Sequence, residues 1–499
     1  MSNAPPRTPS LFWSSVPLLV LIVLLASAVA LFGDGAASGA NPIALLLAAG
    51  VGILIGTLHG HAWVDIQKGI VHGISLSLGA VLILLTVGAL IGSWILAGTV
   101  PTMIYYGLLL LSPAIFLPSA CLLCCFVSLA TGSSWTTAGT VGVALIGIAM
   151  AQGVNPGLAA GAVVSGAYFG DKMSPLSDTT NLAPAVAGAE LFEHIRHMVW
   201  TTTPSLVLAL LLYVGLGLTV TPPQDTTQVS AILDALSGTF ALGPHLLIPV
   251  VIVLVLVVRK MPAFPALLIG ALVGCVFAVI FQPQAVIAYA NSPDLPSWAA
   301  LVKGAWMSLF DGFKLESPNT ALNELLSRGG MANMLNTVWL ILMAMTFGAV
   351  MEATGMLQQI AASILGFVRG TGSLIAATLV TSFGTNIVAS DQYMAIVLPG
   401  RMFRAEYARR GLHPKNLSRA LEDAGTLTSP LVPWNTCGAF MATTLGVATF
   451  AYAPYAFFNL INPLVSAAYG FTGFTIEKID PTDADEAETP TDASRHLTS

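Results

Sequence analysis

Two stretches of this chain carry most of its chemistry, because each crowds ionisable and hydroxyl side chains between strongly apolar flanks. The first is Tyr168-Phe-Gly-Asp-Lys-Met-Ser-Pro-Leu-Ser-Asp-Thr-Thr-Asn-Leu-Ala-Pro184. The second, Leu421-Glu-Asp-Ala-Gly-Thr-Leu-Thr-Ser-Pro-Leu-Val-Pro-Trp-Asn435, has the same design. Neither can run as a continuous helix: Pro175, and Pro430 with Pro433, remove backbone donors and clash one turn back, which frees carbonyl oxygens. Freed carbonyls and hydroxyls are what a desolvating hard cation needs, and sodium belongs with the oxygen-seeking ions by extension. Ser174, Asp178, Thr179, Thr180 and Asn181 supply oxygens on one side, and Asn386, Ser390, Asp391, Thr428, Ser429 and Asn435 on the other. The expectation is Na+ at Asp178, Asn181 and Asp391, with Asp171 in the same ion-coupling set. A buried carboxylate that holds either a cation or a proton, never both, would couple the two movements.

Each candidate also has a plainer reading. Asp171 and Lys172 can form an intramembrane ion pair that fixes the break, and Asp391 can cap the helix that follows it. Ser133 and Thr136 are secondary candidates, as are Lys172, Glu352, Glu422 and Asp423. Glu352 reads equally as a headgroup contact near a helix end, and Glu422 and Asp423 as entry to a broken helix. Charges inside a membrane are functional by default, which keeps all of these in play. His59, His61 and His72 cluster in a short loop, where a pH sensor competes with simple solvation.

The elements that must hold these residues are membrane helices. Of 499 residues, 55% are hydrophobic and only 8% charged, against roughly a quarter charged in a soluble protein. Runs long enough to cross a bilayer include Leu11–Phe32, Ile74–Ala97, Val199–Val220 and His245–Val258 with its flanks. The five cysteines all lie in apolar runs, and the odd number argues against a disulfide framework. Much of the formal charge of −6 comes from Glu477–Ser499, which holds seven acids against Lys478 and Arg495. Nothing in that tail points to nucleic acid, and its composition reads as disordered.

The chain also repeats itself in order. Lys68-Gly69 and Gly88-Ala-Leu-Ile match Arg328-Gly329 and Gly348-Ala-Val-Met, and Met173-Ser174-Pro175-Leu176 matches Thr428-Ser429-Pro430-Leu431. Basic residues gather in one loop of a matched pair and not the other: Arg259-Lys260 against none in Gly33–Asn41, and Arg401 to Arg419 against none in Gly147–Gly161. Corresponding loops therefore face opposite sides, since Lys and Arg collect in short cytoplasmic loops. The expectation is an all-α polytopic membrane protein of two inverted repeats with about 10–12 transmembrane helices. Each repeat has a re-entrant hairpin, with tips at Thr131–Thr137 and Ser382–Asp391, and a broken helix, at Gly170–Asn181 and Gly425–Cys437. The segments are 1–10, a cytoplasmic N-terminal piece; 11–220, the first repeat; 221–243, a connecting loop; 244–470, the second repeat; and 471–499, a disordered acidic tail. Both termini are expected in the cytoplasm.

At Gly170–Pro184, with Glu193-His194 and His197-Met198, the sequence resembles the NhaC family of sodium:proton antiporters. Thr385-Asn386 to Arg401 and Leu421 through Thr436 look like that family too, and the resemblance covers nearly all of the chain outside the tails. It implies an ion-transporter fold in a bacterial inner membrane, not an enzyme, with Na+ and H+ as the transported ions, the lipid bilayer as partner and no cofactor; a homodimer is compatible with it. Because relatives within such a family exchange organic acids or amino acids, a sodium- or proton-coupled exchanger of the malate/lactate type is the alternative. An intramembrane aspartyl protease is a poor third, since Tyr168-Phe-Gly-Asp171 lacks a second catalytic acid motif.

Overall fold

The computed structural model describes residues 7–32, 39–219, 226–315 and 320–479. Among these every regular element is a helix, with only isolated β-bridges at Phe313–Arg328 and Leu412–Lys478. The first half runs α1 (Leu11–Phe32), α2 (Ala40–Leu58), α3 (Trp63–Leu96), the short α4 (Thr99–Leu110), α5 (Pro113–Thr131), α6 (Ser134–Ala151), α7 (Pro156–Met173), α8 (Asp178–Ala187) and α9 (Leu191–Thr219). Then come α10 (Thr226–Thr239), α11 (Pro244–Val258), α12 (Ala263–Phe281), α13 (Pro283–Ala290), α14 (Ser297–Phe310) and α15 (Thr320–Leu326). The chain closes with α16 (Ala332–Ala353), α17 (Met356–Leu365), α18 (Thr371–Val388), α19 (Gln392–Arg409), α20 (Pro414–Leu421), α21 (Thr436–Leu445), α22 (Thr449–Tyr455) and α23 (Phe457–Thr472). Nine helices among the described residues are long and apolar enough to span a bilayer, or eleven if the two sharply bent pairs count.

The order of elements repeats. A long helix ends in a left-handed glycine and a short helix follows, at Gly98 between α3 and α4 and at Gly355 between α16 and α17. Then comes a hairpin, α5–α6 or α18–α19, then a broken helix, α7–α8 or α20–α21, and a long last helix, α9 or α23. At 12 residues α4 is about 18 Å long, too short to cross. Two expectations need correction. The segment 221–243 is not a plain loop, since α10 lies within it. The tail does not loosen at 471: Leu412 and Lys478 pair as antiparallel backbone, and the Asn416 amide donates to Glu477 O at 2.7 Å. Residues 480–499 lie outside the described part.

Small residues bring these helices close enough to bury polar groups, as in membrane bundles generally. Gly69 and Gly73 of α3 lie against the methyl groups of Ala353 and Ala349 on α16. Gly166 and Gly170 of α7 lie against the backbone of Cys121 and Ser128–Leu129 on α5, so a side chain at either place would collide. That contact seats the first broken helix on the first hairpin. All five cysteines are free thiols.

Candidate functional site

Both hairpin tips and both helix breaks open onto one cavity of about 770 Å³. Its wall is formed by Thr131–Ser133 and Trp135 at the first tip, Asp171, Pro175, Leu176, Asp178 and Thr179 at the first break, Asp391–Tyr393 at the second tip, and Thr436–Cys437 at the second break. The α3 stretch Leu76–Ile83 and the α11–α12 turn, including Lys260, complete its rim.

The first break is compact. α7 stops at Met173 and α8 starts at Asp178, so Ser174–Ser177 must be held by side chains. Thr180 donates its hydroxyl to the carbonyls of Asp171 (2.8 Å) and Lys172 (2.9 Å), and Asn181 donates its amide to Pro175 O (2.9 Å) and Ser177 O (2.7 Å). Ser174 Oγ accepts from Leu176 N at 3.3 Å. Asp171 is buried with its carboxyl at the cavity wall, where Oδ1 accepts from Ser177 Oγ and Oδ2 from Ser134 Oγ, both at 2.6 Å. Asp178, by contrast, is exposed at the start of α8, with Tyr393 Oη 3.5 Å from Oδ2.

The second break is longer and holds itself together. A π turn at Glu422–Thr426 and a 3-10 turn at Ser429–Leu431 separate α20 from α21. Asn386, from the second hairpin, donates to Gly425 O (2.7 Å) and Thr428 Oγ1 (3.0 Å), and its Oδ1 accepts from Asn435 Nδ2 (3.0 Å). Asn435 also caps α21 by accepting from Cys437 N at 2.9 Å, and Ser429 donates to Gln392 Oε1 at 2.9 Å. At the tip, Ser390 takes a left-handed backbone, φ 58°, and its carbonyl accepts from Thr436 N at 3.0 Å. Asp391 caps α19 through Oδ1, which accepts from Met394 N at 2.9 Å. The first tip is built alike: Ser133 caps α6, accepting from Thr136 N at 3.1 Å and from Thr136 Oγ1 at 3.1 Å.

Behind the cavity the two broken helices are joined directly. Lys172 and Asp423 are fully buried and ion-paired, and Lys172 Nζ also donates to Asn462 Oδ1 at 3.1 Å. Thr201 of α9 donates to Asp423 Oδ1 at 3.1 Å. Trp135 of the first hairpin stacks on Phe440 of α21, centroids 4.0 Å apart.

A family model described as the Na+/H+ antiporter family matches residues 166–474, which contain both breaks and the second tip. The chain belongs to that family. The Na(+)/H(+) antiporter NhaC of Alkalihalophilus pseudofirmus is 40% identical over 417 residues, 83% of this chain and 87% of its own length. An uncharacterized Na(+)/H(+) antiporter of Haemophilus influenzae is 39% identical over 95% of this chain and 98% of its own. A malate-2H(+)/Na(+)-lactate antiporter of Bacillus subtilis is 38% identical over 86% and 89%. This member of the antiporter family is therefore a multi-pass membrane transporter.

Within that frame the expected residues separate. Asp171, Asp178, Thr179, Asp391 and Ser133 border the cavity. Thr180 and Asn181 are not among the residues of the cavity wall, and their donors satisfy the carbonyls that the break frees. The Asp171–Lys172 ion pair does not form: successive helix residues diverge by about 100°, and Lys172 points back to Asp423 while Asp171 points to the cavity. Glu352 is exposed at the end of α16 and is not part of the cavity wall. Ser134, Ser177 and Gln392 were missed. The doublet Ser133-Ser134 at a tip was the signal for the first, whereas Gln392 had none beyond its place after Asp391. Among the described residues no three of His, Cys, Asp and Glu converge as a metal site.

Proposed function

We propose that the protein exchanges Na+ for H+ across the cytoplasmic membrane by alternating access, with both termini in the cytoplasm and 11–220 and 244–470 acting as inverted repeats. The observation that carries this reading is the arrival of carboxyl groups from both halves at one cavity: Asp171 and Asp178 from the first, Asp391 from the second. Their surroundings differ. Asp178 is exposed, and Asp391 uses only Oδ1 in its cap, so both retain oxygens for a cation. Asp171 has each oxygen engaged by a hydroxyl and is the group on which a proton exchanges with the cation's charge. A cation between Asp178 and Asp391 is completed by hydroxyl and water oxygens, for which the cavity has ample room at about 30 Å³ per water. Lys260 at the rim supports an opening on the cytoplasmic side, by the charge rule for short loops.

The test is a pH dye inside proteoliposomes under an inward Na+ gradient, with no organic solute present. Internal alkalinisation is the expected result. A second reading, exchange of a small carboxylic acid, draws on the N-termini of α8 and α21 at the cavity, which favour anions, and on the malate/lactate relative. No response until malate or lactate is added would put that reading first.

A further inference from the structure

Glu422, on the π turn of the second broken helix, is fully buried and lies away from the cavity wall. Its Oε2 accepts the Thr426 hydroxyl, and its Oε1 has no hydrogen-bond partner among the described residues. A charged carboxylate with a bare oxygen in a dry interior costs several kcal/mol, while the neutral acid avoids that cost by turning its O–H to an acceptor. Lys172 stands near but is already held by Asp423, Thr201 and Asn462. Arg419 and His194 face that pair from α20 and α9, and Asp171 faces Glu422 from α7.

Asp171 has the opposite environment, with a hydroxyl donated to each oxygen. Two carboxyl groups held in different surroundings can serve as a proton donor and its acceptor. Two hydroxyls lie between them. Thr179 neighbours Glu422 without a hydrogen bond between them, Thr179 Oγ1 lies 3.1 Å from Ser177 Oγ, and Ser177 Oγ donates to Asp171 Oδ1 at 2.6 Å.

We propose that Glu422 is a second proton-binding site, which stores the exchanged proton and passes it through the hydroxyls of Thr179 and Ser177 to Asp171. The assignment rests on the Na+/H+ reading above. The accounting is closed: Glu422 gives its proton to Thr179, Thr179 gives its own to Ser177, and Ser177 gives its own to Asp171. Both hydroxyls are restored, Glu422 has lost one proton and Asp171 has gained one. The cation then sits between Asp178 and Asp391 while Glu422 supplies the proton through Asp171.

The test uses the full chain in proteoliposomes with two readouts: Na+-driven alkalinisation, and exchange of radioactive Na+ against Na+, which needs no proton. Glu422→Gln keeps an acceptor for Thr426, and Thr179→Val removes the relay hydroxyl at nearly constant volume. Each should slow alkalinisation by about a hundredfold, the scale of a lost proton-transfer group; Na+/Na+ exchange continues in Glu422→Gln, and Thr179→Ser restores alkalinisation. Wild-type alkalinisation in Glu422→Gln, or loss of both readouts together in that variant, overturns the proposal. Absence of alkalinisation in the wild type overturns the exchange reading itself, and this one with it.

Discussion

The two halves place different residues at matching points. At the hairpin tips Ser133 and Asp391 do the same structural work, each capping the helix that leaves the tip. In the breaks, Asp171-x-x-Ser174-Pro175 matches Thr426-x-x-Ser429-Pro430. The acid thus sits at the break in one half and at the tip in the other. Folding together crosses the pattern, so at these matched points the cavity receives Asp171 from one half and Asp391 from the other. A second difference follows: Asp171, Asp178 and Thr179 of the first break line the cavity, while Thr428, Ser429 and Asn435 of the second mostly bond to Asn386 of the hairpin or to backbone. One break presents most of its polar groups to the cavity, and the other is held mainly by its own hydrogen bonds.

Four substitutions break or sharpen this contrast. The largest effect is expected at the tie between the halves. Lys172→Ala leaves Asp423 buried without its cation and should destabilise the protein by about 3–5 kcal/mol, read as a fall in Tm in detergent; Lys172→Met with Asp423→Leu should recover most of it. Next is the first tip, where Gly132 has φ +69° and a side chain would meet Leu176 at 2.7 Å. Gly132→Ala should cost about 1–3 kcal/mol by the same measurement. Asp391→Ser turns the second tip into a copy of the first: the cap survives, and the Na+ concentration for half-maximal transport should rise about tenfold, equivalent to 1.4 kcal/mol. The smallest effect is Ser390→Gly. It relieves a left-handed non-glycine residue and deletes a buried hydroxyl without a partner, raising stability by about 1 kcal/mol.

The breaks and tips were legible because proline, glycine and hydroxyl clusters inside apolar runs have no other explanation in a bilayer. Both prolines that end α7 and precede α21, and Asp391 as a cap, follow from local rules. Partner choice was not legible. Lys172 meets Asp423 across 251 positions, and nothing near either residue announces the other. Ser134 reaches Asp171 only because Gly166 and Gly170 let α7 approach α5. Asn181 was read as a ligand since its amide oxygen suits a cation, yet its place one turn beyond Ser177 sets the side chain over the carbonyls of the break.

The central claim, that a cation and a proton exclude one another at the cavity, is tested most directly with purified protein in weakly buffered detergent solution, by adding Na+ and recording protons released. Release that saturates with Na+ binding, and that Asp171→Asn abolishes, is the predicted result. Na+ binding with no proton release from the wild type, or equal release from Asp171→Asn, would contradict it.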